Sequence, residues 1–199
     1  SAPRRPCSPD PHRMSYQPAN PLIVQGDLSI LLEVQAPLFA DARDALLGFA
    51  ELVKSPEYVH TWRLTHLSLW NAAAAGHSAD AIVESLSRYA KYPVPAAVPE
   101  RIREVMGRYG ALRLVQDGEW LRLESDDPLD LDTVRHLAPV ADLLDADVGG
   151  SVRVHPRRRG ELKRALVSLG HPVRDLVGFD DGDALDMKLS PQLPSGEAW

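Results

Sequence analysis

Residues 55–95 read SPEYVHTWRLTHLSLWNAAAAGHSADAIVESLSRYAKYPVP, and the order of patterns in this stretch decides the fold. Over residues 58–65, Tyr58, His60, Trp62 and Leu64 alternate with Val59, Thr61 and Arg63, the two-residue period of a strand. Residues 66–75 then change to helical spacing and stop at Gly76, which suits a left-handed C-cap. Ser78 is placed to cap the N-terminus of a second helix, residues 79–90, whose Ile82, Leu86 and Tyr89 form one apolar stripe. Pro93 and Pro95 bend the chain, and Pro99 suits the first turn of a third helix ending at Gly110, with Ile102, Val105, Met106 and Tyr109 inward. A hairpin follows at once: two alternating runs, residues 111–116 and 119–124, flank Asp117-Gly118, a strong short turn signal.

A strand, three helices and a two-stranded wing is the order of elements in a winged helix. On the N-terminal side, Pro21 opens the ordered part. Residues 22–25 and 28–34 read as two short strands around Gly26-Asp27. Residues 37–54 read as one amphipathic helix, with Leu38, Ala42, Ala45, Leu46, Phe49 and Val53 on one side, ended by Pro56. On the C-terminal side the composition turns acidic. Residues 126–150 hold Asp126, Asp127, Asp130, Asp132, Asp142, Asp145 and Asp147 against Arg135, and read as a junction that includes a helical stretch, residues 132–144. Residues 151–155 read as a strand, 156–169 as a helix and 184–189 as a final strand. The expected organisation is therefore α+β: a tail or cloning extension (1–20), a winged-helix-like module (21–125), an acidic linker (126–150), a small strand–helix–strand module (151–190) and a loose terminus (191–199). Met14 is a candidate natural start.

With 199 residues, 44% hydrophobic and 25% charged, the chain has the composition of a soluble globular protein. The net charge of −6 gives no global attraction to nucleic acid, so any phosphate contact must come from a local patch. Cys7 is the single cysteine, which excludes an intrachain disulfide and a cysteine-based zinc site. No apolar run approaches the roughly 20 residues of a membrane helix, and no secretory signal is present. A cytoplasmic bacterial protein is expected.

No GxxxxGK[ST] phosphate loop and no DExH or DExD box occurs, so no catalytic residues are assigned and no ATP hydrolysis is expected of this chain. The histidines lack metal-ligand spacing, and His60 reads as a packed strand residue beside Trp62. The acidic run 126–132 lacks the central Gly and terminal Glu of a calcium loop and reads as a solvated linker, and Asp180-Asp181-Gly182-Asp183 reads as a turn, since Asp and Gly supply turn geometry. No metal site is expected. Two groups of cations are candidates for DNA. Arg157, Arg158, Arg159, Lys163 and Arg164 follow Pro156 at a helix start, where the dipole disfavours cations and a compensating anion is called for. That anion is either a DNA phosphate or the acidic stretch upstream. Arg101, Arg103 and Arg108 lie on the helix that a winged helix would use for recognition, but Glu100, Glu104, Glu119 and Glu124 nearly offset them together with Arg113 and Arg122, which favours protein docking there.

The collinear segments PLIVQGDLSILLEVQAPLFADARDALLGFAEL (residues 21–52), the opening stretch, and MGRYGALRLVQDGEWLRLESDD (residues 106–127) resemble the N-terminal region of the XPB family of superfamily 2 DNA helicases. SVRVHPRRRGELKRALVSLGHPVRDLVGFDDGDALDMKL (residues 151–189) resembles the small module that in this family precedes the motor and is discussed as a damage-recognition domain. The resemblance implies an accessory N-terminal region of an ATP-dependent helicase of DNA repair, acting in protein docking and DNA engagement. It implies motor domains in the same parent chain, ATP and magnesium for that motor alone, and a protein partner of unknown identity. Two other readings stand beside it: a stand-alone winged-helix DNA-binding or transcription-associated protein, and a structural adaptor without nucleic-acid contact.

Overall fold

Short alternating runs give the first half of the chain a four-stranded antiparallel sheet; the computed structural model describes residues 16–178. Its strands are β1 (Leu22–Val24), β2 (Ser29–Glu33), β3 (Glu51–Lys54) and β4 (Val59–Arg63), in the order β1-β2-β4-β3. Four helices complete this half: α1 (Phe39–Leu47), α2 (His66–Ala74), α3 (Ala79–Tyr89) and α4 (Ala97–Gly107). Leu22, Ile30, Leu32 and Trp62 of the sheet meet Leu46, Leu69, Ile82, Leu86 and Ile102 of the helices in one buried core.

Capping sets where the helices begin. Thr65 accepts a 3.0 Å bond from the Ser68 amide while the Ser68 hydroxyl accepts from the Thr65 amide, a reciprocal capping box at α2. Ser78 accepts from the Ala81 amide at α3, as its sequence position indicates. The last carbonyls of a helix have no intrahelical donors. Trp70 supplies one: its buried indole Nε1 donates 2.9 Å to the Val105 carbonyl in the last turn of α4. The segment before β1 is tied across the far end of α3, where Asn20 Nδ2 donates to the Arg88 and Ala90 carbonyls at 2.8 and 3.0 Å. Lys91 beside them forms an ion pair with Glu33.

The second half builds its own sheet and core. β5 (Leu112–Asp117), β6 (Trp120–Ser125), β7 (Asp147–Val148), β8 (Ser151–Val154) and β9 (Val173–Asp175) lie in the order β7-β8-β6-β5-β9, antiparallel except that β9 runs parallel to β5. Helices α5 (Pro128–Arg135), α6 (Ala138–Ala141) and α7 (Arg159–Ser168), the last entered through a 3-10 turn Pro156–Arg158, place Leu131, Val134, Val140, Leu162 and Leu166 against Leu112, Leu114, Leu121, Leu123, Val152 and Val154.

The α+β class holds, and several finer expectations change. The helix expected over 37–54 stops at Leu47, and Glu51–Lys54 forms β3 instead, paired with β4 through a bulge. All four residues of β3 are exposed, so burial leaves no periodic imprint from which the strand could be read. The hairpin expected as a wing is β5–β6, with Gly118 at φ +62 opening its two-residue loop. It is no projecting wing of the first half: both its edges are paired, and Leu114 and Leu123 are fully buried in the second core. The stretch expected as an acidic linker holds α5, α6 and β7, and its buried Leu131, Val134 and Val140 give it a share of that core. The strand expected over 184–189 and the acidic turn 180–183 lie outside the described residues, as do the loose terminus and residues 1–15 of the tail expected over 1–20; its residues 16–20 are described, and Gln17 and Asn20 bond to the fold. No helix among the described residues is long and apolar enough to cross a membrane.

Trp70→Phe keeps the ring volume close but leaves the Val105 carbonyl with only a 3.4 Å contact from the Arg108 amide. The expected cost is about 1–2 kcal/mol, read as a lowered urea midpoint at unchanged m-value.

Candidate nucleic-acid interface

The five cations after Pro156 do not point together at solvent. The 3-10 turn is initiated by Pro156 and capped by His155, whose Nδ1 accepts from the Arg157 amide at 3.2 Å. This turn rotates the three consecutive arginines to different sides. Arg158 turns inward along the surface and donates to the Asp142 carbonyl at 2.8 Å. Arg159 donates to the Asp175 carboxylate at 2.9 Å and to the Val177 and Gly178 carbonyls at 2.6 and 3.2 Å. One turn later Lys163 reaches the same carboxylate oxygen of Asp175 at 2.7 Å. Arg157 and Arg164 are exposed, and neither side chain has an ion-pair partner among the described residues.

Asp175 is thus the compensating anion that the helix start called for. Its carboxylate is only 11% exposed, against 25% for Arg159 and 42% for Lys163. Burial pushes its pKa up, but the hydrogen bonds from Arg159, Lys163 and the Val177 amide outweigh that and hold it below its ordinary 3.8. In the sequence Asp175 marks only the end of the basic span, because a strand of three residues leaves no pattern that would place it beside α7. The only available signal was the spacing of one acid beyond a basic helix.

The second group is neutralised as well. On α4, Glu104 accepts from Arg101 at 2.7 Å and from Arg108 at 3.0 Å, a bridge across one helical turn on each side. Arg103 pairs with Asp80 of α3 at 2.9 Å. The hydrogen bond from Arg101, its charge and the nearby Arg108 hold the Glu104 carboxyl below its ordinary value. All three arginines keep about half of their side chains in water, so these pairs are labile surface contacts. The acidic stretch behaves alike: Asp126 grips Arg113 with two 2.6 Å bonds, and Asp127 caps α5 through the Leu129 amide. Among the described residues no group of three or more His, Cys, Asp or Glu is arranged to hold a metal ion.

Asp175→Asn removes the shared anion from two half-covered cations. The fold is expected to lose about 1–2 kcal/mol, discounted from the full buried-pair penalty for the exposure of Lys163. A carboxyl whose folded pKa is depressed stabilises above its unfolded value, and that contribution fades as pH falls through the folded value. Urea midpoints of the native chain should therefore decline below about pH 4, with a shallower decline in Asp175→Asn. The same variant releases Lys163 from its carboxylate and should tighten low-salt binding to DNA.

Residues 22–148 match the family model described as a helicase conserved C-terminal domain. The chain is 48% identical over 172 residues to the DNA 3'-5' helicase XPB of Kineococcus radiotolerans, covering 85% of this chain and 31% of that protein. It is 44% identical over 171 residues to the protein of the same description in Mycobacterium tuberculosis, again covering 85% and 31%. The general transcription and DNA repair factor IIH helicase/translocase subunit XPB of Antonospora locustae is 30% identical over 178 residues, with 26% of its length covered. The chain thus spans about a third of the length of the bacterial relatives it matches. On this collinear identity, the chain belongs to the XPB family of superfamily 2 helicases.

Proposed function

We propose that this chain is the accessory, N-terminal part of an ATP-dependent XPB-type DNA helicase, serving protein docking and DNA engagement and leaving ATP hydrolysis to motor domains elsewhere in the parent. The observation that carries this reading is the coverage: 85% of the chain aligns, yet with only 31% of the helicase. The matching family description names a C-terminal helicase domain, and the architecture bears on that label. A nucleotide-binding motor lobe needs a phosphate loop between a parallel strand and a helix. Here one sheet is wholly antiparallel and the other has a single parallel pair, β5–β9. Such sheets support an accessory role. The pairing of Arg101 and Arg108 with Glu104 and of Arg103 with Asp80 supports protein docking through α4, and Arg157 and Arg164, without an ion-pair partner among the described residues, support DNA engagement beside α7.

A second reading, an adaptor without nucleic-acid contact, draws on the internal pairing of Arg158, Arg159 and Lys163. Fluorescence anisotropy with labelled duplex and bubble DNA at two salt concentrations separates the two. The proposal expects binding that weakens with salt. Arg157→Ala with Arg164→Ala should lower the slope of log K against log salt by about 2, since each phosphate contact contributes about 0.9. Absence of binding favours the adaptor, and ATP hydrolysis by this chain alone would overturn the accessory reading.

A further inference from the structure

α5, α6 and α7 all bury their apolar side chains on one face of the second sheet. Strand alternation sends the intervening residues to the opposite face, and there the register sets a staggered row of cations in two opposed pairs, offset by two residues because Arg122 itself faces Val115 on β5. Arg153 of β8 lies directly across from Arg122 of β6. Arg113 of β5 lies across from Arg174 of β9 and from Glu124 of β6. Like charges directly opposed on neighbouring strands repel, and the acids present do not resolve the row. Glu124 lies 3.5 Å from both Arg113 and Arg122, and Asp126 is taken by Arg113. Arg153 and Arg174 have no carboxylate partner among the described residues. The Nε of Arg153 is buried without a hydrogen-bond partner, and that of Arg122 has only the 3.5 Å ion-pair contact to Glu124 and no hydrogen bond, a cost that a bound anion reorganising the two guanidinium groups would relieve.

The same face carries an aromatic ring. Trp120, at the start of β6, is half-buried; the Arg153 guanidinium lies 5.4 Å from its centroid and His155 meets it edge-on at 5.3 Å. A ring and a guanidinium plane held together on an open sheet are a stacking platform, with neighbouring cations at strand spacing to follow a phosphate backbone.

We propose that the outer face of the second sheet, built by Trp120 with Arg122, Arg153 and Arg174, binds single-stranded nucleic acid. This rests on the DNA-engaging reading above and moves its centre from the start of α7 to the sheet. Unpaired bases are the matching partner because duplex bases are already stacked and offer no face to an indole. An acidic protein segment would satisfy the arginines but has no use for the ring.

The test is anisotropy of fluorescein-labelled dT12 against the full 199-residue chain, with circular dichroism and urea midpoints confirming the fold of each variant. Trp120→Ala is expected to weaken binding about tenfold and Trp120→Phe less than threefold, since stacking on the ring is worth that much per base. Arg122→Gln with Arg153→Gln should lower the log–log salt slope by about 1.4, at about 0.7 for each single-strand phosphate contact. Should Trp120→Ala unfold, the phenylalanine and arginine variants still decide. An unchanged slope in the folded double variant overturns the proposal. Loss of dT12 binding only with Arg157→Ala and Arg164→Ala also overturns it, while leaving the DNA-engaging reading standing. Failure of the native chain to bind any DNA removes both. Displacement of dT12 by polyglutamate, with Trp120→Ala binding that peptide as well as the native chain does, overturns the proposal and assigns the face to an acidic protein segment.

Discussion

One carboxylate governs the charge of the second half of this protein. Asp175, at the end of a three-residue strand, holds Arg159 and Lys163 on a single oxygen and so converts part of an exposed basic helix start into internal structure. The constraint is physical: three successive arginines at a helix N-terminus oppose the helix dipole, and a nearly buried anion offsets it. Because β9 runs parallel to β5, the register that carries Asp175 to the helix also sets Arg174 beside Arg113 on the other side of the sheet. One strand therefore quiets the cations on the helical side and adds one to the open side.

The hairpin β5–β6 is the second organising element. Its leucines face a core shared with α5, α6 and α7, so its arginines face away from all three. Had it stood as a wing beside α4, the same alternation would have left its apolar side to be covered by the first core. That core is already closed by α2, α3 and α4, with Trp70 bonded to the Val105 carbonyl. The two halves accordingly carry different surfaces: a charge-balanced α4, and a sheet whose Arg153 and Arg174 have no carboxylate partner among the described residues.

Much of the first half was legible in the sequence. The strand at Val59–Arg63, the helices α2 to α4 and the Ser78 cap follow from periodicity and from residues with a single good structural use, as does the turn at Gly118 in the second half. β3 escaped because four exposed residues leave no burial pattern, and because Leu52 and Val53 also fit the apolar face of a longer helix. The acidic stretch hid Leu131, Val134 and Val140 behind seven aspartates, although their spacing is helical. The basic site was half legible. Clustering exposed the arginines after Pro156, but pairing across β5, β6, β8 and β9 is a long-range matter of register that no local window contains. Arg122, Arg153 and Trp120 become one surface only once the strands are placed side by side.

The central claim is that this chain meets nucleic acid through the open face of its second sheet. Photocrosslinking of an oligonucleotide carrying 5-iododeoxyuridine, followed by mass-spectrometric mapping of the attached peptides, tests it most directly. The account predicts attachment at Trp120 and in peptides of β6 and β8. Attachment confined to α4 or to the first sheet would contradict it.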